Sequence, residues 1–198
     1  MVQKTKSTIF ELVRCSRHLP RGKYLRQLAS GLLLGKVGYA AAAVAPVRLD
    51  EGDPPAPSSC KSTQVAINNA ARSIMGKRLS DRTPVAKLLA GSGLPSYNQL
   101  AIRGVAIETW KAYHSMDGPG DSRNPLGKLL FGETRGDSNL MITRAALSGS
   151  IPPPLPMAAP SLAYYGYRIW NACPKLREAR SLAQAKKAAC EISDSAPL

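Results

Sequence analysis

The chain has 198 residues, a hydrophobic content of 44%, and 27 lysines and arginines against 13 acidic residues, for a net charge of +14. The hydrophobic content is ordinary for a folded domain and excludes a fully disordered protein. The charge indicates an anionic partner, either a nucleic acid or an acidic membrane surface. Charged residues interrupt every apolar run near the N-terminus, so no signal peptide is predicted and an intracellular location, cytoplasmic or nuclear, is expected.

Residues 1–49 are predicted to form basic helices. A short amphipathic helix over residues 3–17 carries Arg14 and Arg17 toward its C-terminal end, where positive charge suits the helix dipole. A longer buried helix is predicted over residues 23–45, because leucines recur there at helical spacing. The leucines expected to face its core are Leu25, Leu28, Leu32 and Leu33.

The apolar stretch over residues 28–47 raises a membrane alternative. It is rich in alanine and carries one charge, Lys36. A spanning helix needs about 20 mostly apolar residues, and a central lysine costs about 2.5–3.5 kcal/mol on insertion. A buried helix of a soluble protein is therefore the favoured prediction for this stretch.

An acidic, proline-rich linker is predicted over residues 50–60, because prolines in so short a span are incompatible with a helix interior. A helical region follows over residues 61–116. Within it, Thr83 and Pro84 predict the N-cap and first residue of a short helix. A longer helix is predicted over residues 97–114, where apolar residues again recur at helical spacing.

The stretch AINNAARSIMG, residues 66–76, combines an apolar face with a polar back. Its apolar residues follow the i, i+3, i+4, i+7 spacing of one helical face. They are Ile67, Ala70, Ala71 and Ile74. Asn68, Asn69 and Arg72 lie off that face, and Gly76 is placed to end the helix in a left-handed conformation. The polar back either packs a helix or brings Arg72 to a phosphate.

Glycine- and proline-rich loops are predicted over residues 117–160, where periodicity is lost and PPPLP, residues 152–156, favours extended structure. Residues 161–198 are predicted as a β segment followed by a basic helix. The β segment covers residues 161–171, SLAYYGYRIWN, where aromatic residues favour a strand. The helix covers residues 175–192. The sequence thus predicts a mainly α fold with a small β element and an extended proline-rich segment near the C-terminus.

Basic residues concentrate in three predicted helical blocks. Residues 1–36 carry eight basic residues against one acid, residues 61–111 carry eight against two, and residues 168–187 carry six against one. The loops between these blocks hold most of the acids. This distribution suits a surface that follows nucleic-acid phosphates, because each neutralised phosphate adds to a salt-sensitive affinity.

The residue pattern argues against an enzyme site. The four cysteines and two histidines lack the spacing of a zinc site. No Gly-x-Ser-x-Gly elbow, Walker loop or His-Glu-x-x-His motif occurs. Two-metal nucleotidyl transfer needs at least two converging carboxylates, and no two aspartates are adjacent in this chain. The residues alone therefore predict a basic helical binding module without a cofactor or a small-molecule substrate.

Four stretches stand in order along the chain, and a short block closes the last of them. The stretches are LLLGKVGYAAAAVAPVRL, QVAINNAARSIMG, LLAGSGLPSYNQLAIRGVAIETWKAYHS and GYRIWNACPKLREARSLAQAKKAA. The closing block consists of Arg168, Trp170, Asn171, Leu176 and Arg177. In order and spacing, these stretches resemble the region after the reverse-transcriptase palm in non-LTR (LINE-type) retrotransposon polyproteins. The resemblance covers nearly the whole chain.

The resemblance implies a thumb-like helical bundle, with residues 32–39 corresponding to the thumb. In the family, the thumb grips a template–primer duplex through its backbone, and the preceding palm carries an aromatic-x-Asp-Asp motif that holds Mg²⁺. That motif would lie before residue 1. The chain is therefore expected to be a catalytically incomplete C-terminal fragment of an RNA-directed DNA polymerase. The expected partners are an RNA or DNA duplex and the missing palm and fingers.

Apolar side chains that would pack on the palm, and would be exposed without it, are expected on the thumb. They are Leu32, Leu33, Leu34 and Val37. Backbone-phosphate contacts are assigned to six basic residues. They are Arg14, Arg17, Lys36, Arg72, Lys77 and Arg78. No catalytic or metal-ligating residue is assigned. The alternatives are a basic interaction or structural protein without a nucleic-acid role, and a membrane-associated protein that uses residues 28–47.

Overall fold

The computed structural model describes a mainly helical chain. The described residues are 11, 14, 18, 20, 22–44, 46–53, 57–115, 125–136 and 161–197, and they contain helices and no strand. They belong to two compact units. The first unit comprises Met1–Ala101 with Pro197–Leu198, and the second comprises Ile102–Ala196. The predicted mainly α class is confirmed.

The helices of the first unit follow the predicted order. They are α1 (Lys23–Ala29), a π-helical turn (Ser30–Leu34), α2 (Gly35–Val44), α3 (Ser58–Met75), α4 (Val85–Ser92) and the first residues of α5 (Tyr97–His114). The helix predicted over residues 23–45 is present as the continuous run of α1, the π turn and α2. Helix α3 begins at Ser58, so the predicted linker is shorter than residues 50–60.

The π turn explains which side chains of the first helical run are buried. The buried stripe recurs every four residues, and its members are Leu25, Ala29, Leu33, Val37 and Ala41. In a regular α-helix, a four-residue spacing rotates the stripe by about 40° at each step. The wider π turn absorbs one extra residue and brings the stripe back toward the core.

This stripe corrects the prediction made from leucine spacing. Leu28 is only half-buried and Leu32 is exposed, so neither belongs to the core stripe. Leu33 and Val37 are fully buried within the first unit. They are therefore not the exposed palm-facing side chains expected from the resemblance. Leu32 remains exposed and Leu34 half-buried.

Helices α3 and α4 pack against each other as a helical hairpin, and the apolar face of α3 is the one predicted from AINNAARSIMG. The four residues of that face are at most 5% exposed. Gly76 ends α3 and Gly93 ends α4, each with a φ of 67°, a left-handed conformation that costs glycine little. Helix α4 begins at Val85 with Pro84 as its N-cap, one residue later than predicted.

Polar side chains on the back of α3 form hydrogen bonds that help to pack it against the start of α5. Gln64 Nε2 donates to Asn68 Oδ1 at 2.8 Å, and Gln64 Oε1 accepts from the backbone N–H of Tyr97 at 2.7 Å. Gln64 thereby satisfies a backbone donor at the start of α5, which helices leave without an internal partner. Asn68 is buried in the process. Burial, followed by the neighbouring Cys60, raises the pKa of Tyr97 to about 12.

The start of α5 is fixed by a reciprocal capping box. Ser96 Oγ accepts from the backbone N–H of Gln99 at 3.1 Å, and Gln99 Oε1 accepts from the backbone N–H of Ser96 at 2.8 Å. The Ser-x-x-Gln spacing is the sequence signature of this box. The helix predicted over residues 97–114 is confirmed with these bounds.

The second unit is built around aromatic rings. Its helices are the rest of α5, then α6 (Pro125–Gly136), α7 (Leu162–Ala172), α8 (Pro174–Glu178) and α9 (Leu182–Ser195). The ring centroids of Tyr113, Phe131 and Trp170 lie 4.9–5.1 Å apart in pairs. Trp110 Nε1 donates to the carbonyl oxygen of Ala179 at 2.9 Å. Aromatic pairs at such distances favour edge-to-face and tilted packing, which these rings adopt.

The β segment predicted over residues 161–171 is wrong, because Leu162–Ala172 is the helix α7. Ser161 is its N-cap and accepts from the backbone N–H of Tyr164 at 3.1 Å. The buried residues Ala163, Gly166 and Trp170 follow helical spacing. The aromatic composition suggested a strand, but the spacing of the buried positions is that of a helix.

The predicted loop region and C-terminal helix also need correction. Pro125–Gly136 is the helix α6, and Pro125 occupies its first position, where proline is favoured. The proline-rich run at residues 152–156 lies outside the described residues. The helix predicted over residues 175–192 is two helices, α8 and α9, because Ala179 adopts an extended conformation between them.

Candidate nucleic-acid interface

The strongest candidate surface is the turn that joins α3 to α4, residues 76–84, called here the basic turn. The side chains of Lys77, Arg78 and Arg82 are exposed in it. Leu79 is 79% exposed, more than any other large apolar side chain among the described residues. The turn thus presents three cations and one large apolar side chain to solvent.

Backbone hydrogen bonds hold the basic turn in one shape. The backbone N–H of Lys77 donates to the carbonyl oxygen of Arg72 at 2.9 Å, which closes the end of α3. The N–H of Asp81 donates to the carbonyl oxygen of Arg78 at 3.2 Å. The N–H of Thr83 donates to the carbonyl oxygen of Asp81 at 2.7 Å. The backbone that carries these cations is therefore held before any ligand arrives, which lowers the ordering cost of binding.

Asp81 is the one acidic residue of the basic turn, and its carboxylate is used locally. Asp81 Oδ2 accepts from the backbone N–H of Arg78 at 3.0 Å. Within the described parts of the chain, no carboxylate forms an ion pair with the side chains of Lys77, Arg78 or Arg82. The charge of the turn therefore remains positive and exposed.

The structure brings three of the six predicted phosphate contacts together. Arg72, Lys77 and Arg78 all lie at the C-terminal end of α3. Arg14 is an exposed helical residue without a described contact to them. Lys36 lies in α2, and its side chain is outside the described set. Arg17 is also outside the described residues.

Arg72 differs from its two neighbours because it is half-buried. Its Nη1 donates to Asn69 Oδ1 at 3.4 Å, and its buried Nε has no hydrogen-bond partner among the described residues. A cation in the last turn of a helix also interacts favourably with the helix dipole. Arg72 therefore supports the end of α3 as well as adding charge beside the turn.

Arg82 and Leu79 were missed by the sequence reasoning. The signal that could have found them is the run KRLSDR, residues 77–82, directly after the helix-ending Gly76. Polar and small residues just past a helix end indicate a turn. A turn places its side chains outward, so a leucine in that position is unusually exposed.

Several cations of the second unit are engaged in contacts inside that unit, whereas Arg180, Lys186 and Lys187 are exposed. Arg103 bonds Ser193 Oγ at 2.8 Å and Asp194 Oδ1 at 2.9 Å. Lys175 pairs with Glu191 at 2.5 Å, which raises the pKa of Lys175 and lowers the pKa of Glu191 through their hydrogen bond and charge. A pocket of about 310 Å³ beside this pair is lined by both acids and bases, so it has no marked charge preference.

The closing block of the chain is explained by packing. Trp170 and Leu176 are at most 2% exposed. Arg177 Nη1 donates to the carbonyl oxygens of Trp170 and Asn171 at 3.0 and 3.1 Å, at the C-terminal end of α7. A cation there satisfies carbonyls that the helix leaves unpaired. The guanidinium of Arg168 lies 5.7 Å from the ring centroid of Tyr164. These side chains build the second unit.

Within the described ranges, neither a metal-binding cluster nor a membrane-spanning helix is present. No group of three or more histidine, cysteine or acidic side chains converges there as a metal site requires. No helix in those ranges is both long enough and apolar enough to cross a membrane. Cys60, Cys173 and Cys190 are present as thiols.

No family model, no curated protein and no solved structure matches this chain. The geometry of the surface is that of an exposed, cationic turn that joins α3 to α4 and is held by backbone hydrogen bonds.

Proposed function

We propose that this chain is a helical nucleic-acid-binding region of the kind that follows the palm in retrotransposon reverse transcriptases. It holds a duplex through phosphate contacts and has no polymerase activity by itself. The observation that carries the proposal is the basic turn, where Lys77, Arg78 and Arg82 are exposed on a hydrogen-bonded loop. The sequence resemblance supplies the kind of polymerase.

Charge and rigidity support this role. Over residues 57–101 the only acidic residue is Asp81, and its carboxylate accepts a backbone N–H. Lysine and arginine contacts to phosphates dominate non-specific affinity for nucleic acids, because each contact releases condensed counterions. Such contacts position a protein on a duplex without reading its sequence. Binding that is independent of sequence is therefore expected.

Polymerase chemistry is not assigned to the described residues. The intact family enzyme would use Mg²⁺ held by palm aspartates. No adjacent aspartates occur in this sequence, and no group of three or more histidine, cysteine or acidic side chains converges among the described residues. We therefore derive no metal-dependent step. In this proposal a palm, supplied from elsewhere, performs catalysis.

A salt titration of duplex binding tests the proposal. Neutralising two phosphate contacts lowers the slope of log K against log salt by about two. We expect that change for the double variant Lys77→Ala, Arg78→Ala. The matched control is Lys186→Ala, Lys187→Ala on α9, which removes the same charge from exposed positions of the second unit. The control is expected to leave the slope unchanged.

Three outcomes contradict the proposal. A slope near zero for the wild-type chain indicates an interaction or structural protein without a nucleic-acid role. Equal loss of slope in both double variants indicates a general effect of net charge. An unchanged slope in the Lys77, Arg78 variant removes the basic turn from the binding surface.

A further inference from the structure

Leu79 occupies an unusual position within the basic turn. The hydrogen bond from the N–H of Asp81 to the carbonyl of Arg78 closes a four-residue turn, and Leu79 and Ser80 lie at its tip. Arg78 precedes the leucine and Arg82 follows the turn. Isolated exposed leucines are common on protein surfaces. Here the leucine is held at the tip of a closed turn and is flanked by cations on both sides.

We propose that Leu79 is an apolar wedge that enters the minor groove of the bound duplex and partly unstacks one base step. Lys77, Arg78 and Arg82 contact the phosphates that border the groove. This inference rests on the proposed function and adds a second kind of contact to it. Proteins that bind the minor groove insert leucine and similar side chains between base steps while basic residues hold the backbone.

The chemistry of the turn favours a nucleic acid over a membrane. Surface binding to lipid requires a sizeable apolar face in addition to basic residues. The sequence neighbours of Leu79 at the tip are Arg78 and Ser80, which are polar, so the tip itself offers one apolar side chain and not an extended apolar face. One inserted side chain is enough to unstack one base step. The phosphates that border the groove can pair with the cations that flank Leu79. The occupant is therefore a duplex.

The turn is suited to a wedge because it is held before binding. Four hydrogen bonds hold residues 72–83. Three join backbone groups, and the fourth joins the Asp81 carboxylate to the backbone N–H of Arg78. Ordering a flexible loop would consume part of the binding free energy. The leucine therefore reaches the groove without an ordering step.

The test is fluorescence of a duplex that carries 2-aminopurine, whose emission rises when it is unstacked. The wild-type chain is expected to raise the emission on binding. Leu79→Ala is expected to lose the rise and to weaken binding about tenfold, with the salt slope unchanged because no cation is removed. Leu79→Met keeps a wedge-capable side chain and is expected to keep the rise. Leu182→Ala removes an exposed leucine of α9 and serves as the control.

The outcomes separate the wedge from the proposed function. Wild-type binding with a normal salt slope and no rise in emission overturns the wedge and leaves phosphate binding intact. Equal emission for Leu79→Ala and the wild type also overturns it. Absence of any duplex binding overturns the proposed function and the wedge together. Leu79-dependent flotation with phosphatidylserine vesicles, without duplex binding, assigns the tip to a membrane and rejects both.

Discussion

The two units have similar basic content but use their cations differently. In the second unit, Arg103, Lys175 and Arg177 are bound to carboxylates, a hydroxyl or backbone carbonyls of the same unit. In the first unit, Lys77 and Arg78 extend from a turn whose only acid faces the backbone. Composition alone made three basic blocks look equivalent. Geometry separates the cations held in structural contacts from exposed cations, which include Lys77 and Arg78 in the first unit and Lys186 and Lys187 in the second.

The cores of the units differ as well. The first unit buries mainly small and aliphatic residues, such as the stripe of its first helical run. The second unit buries both tryptophans of the chain, Trp110 and Trp170, with Phe131 beside them. Large rings concentrate stability in a few side chains. The second unit is therefore expected to be more sensitive to single truncations.

The largest expected effect is at Trp170, which is 2% exposed and contacts two other rings. Trp170→Ala is expected to lower the free energy of unfolding by about 3–5 kcal/mol, because it leaves a cavity among close-packed rings. Denaturant unfolding followed by circular dichroism measures the change. Tyr24→Ala, at a 60% exposed ring of the first unit, is the control. Equal effects for both variants would remove the proposed contrast.

Alanine substitutions at two glycines of the first unit are expected to change its stability in opposite directions. Gly93 ends α4 with a φ of 67°, and a methyl group there would lie 3.1 Å from Arg26 Cζ. Gly93→Ala is expected to cost about 1–2 kcal/mol. Gly38 lies within α2 with open space at the same position, so Gly38→Ala is expected to stabilise by about 0.5–1 kcal/mol. Melting temperatures that move in the same direction would contradict the assigned geometry.

Gln64 tests whether the polar back of α3 is structural. Gln64→Ala leaves the backbone N–H of Tyr97 without its partner and is expected to cost about 1–2 kcal/mol. Gln184 of the second unit accepts from the N–H of Arg180 at an exposed site. Gln184→Ala is expected to change stability by less than about 0.5 kcal/mol. A negligible cost at Gln64 would reopen a binding role for this face.

The smallest effect concerns the titration of Tyr97. Its folded pKa of about 12 exceeds the ordinary value of 10.0, so the folded state favours the protonated phenol. This contribution to stability is complete below pH 10 and is lost as the pH rises toward 12. Tyrosinate absorbance should show a late phase that disappears in Tyr97→Phe. Titration of all seven tyrosines near pH 10 would contradict this burial.

The sequence predicted those helices whose ends and faces have local causes. The face of α3 and its end at Gly76 follow from spacing and from the left-handed conformation that glycine allows. The start of α5 follows from Ser96, whose side chain forms the capping box. Helix α7 was not predicted from the sequence, because its aromatic content favours a strand. The ring cluster that holds Trp170 is formed by segments that are distant in the chain.

The candidate site was predictable in part for the same reason. Lys77 and Arg78 were found from charge alone. The importance of Leu79, and the local use of the Asp81 carboxylate, depend on how the turn closes. The engagement of second-unit cations depends on pairs such as Arg103 with Asp194, which are 91 residues apart. Sequence spacing carries no information on such pairs.

By itself, the sequence determined the helical class, the net positive charge and the end of α3 at Gly76, because these depend on composition and neighbouring residues. The tertiary structure decided which cations remain exposed and which polar side chains serve packing. The reason is that burial and hydrogen bonding are set by partners far away in the chain. In AINNAARSIMG, the asparagine at position 68 is enclosed with Gln64 near the start of α5, and the arginine stays at the edge of the basic turn.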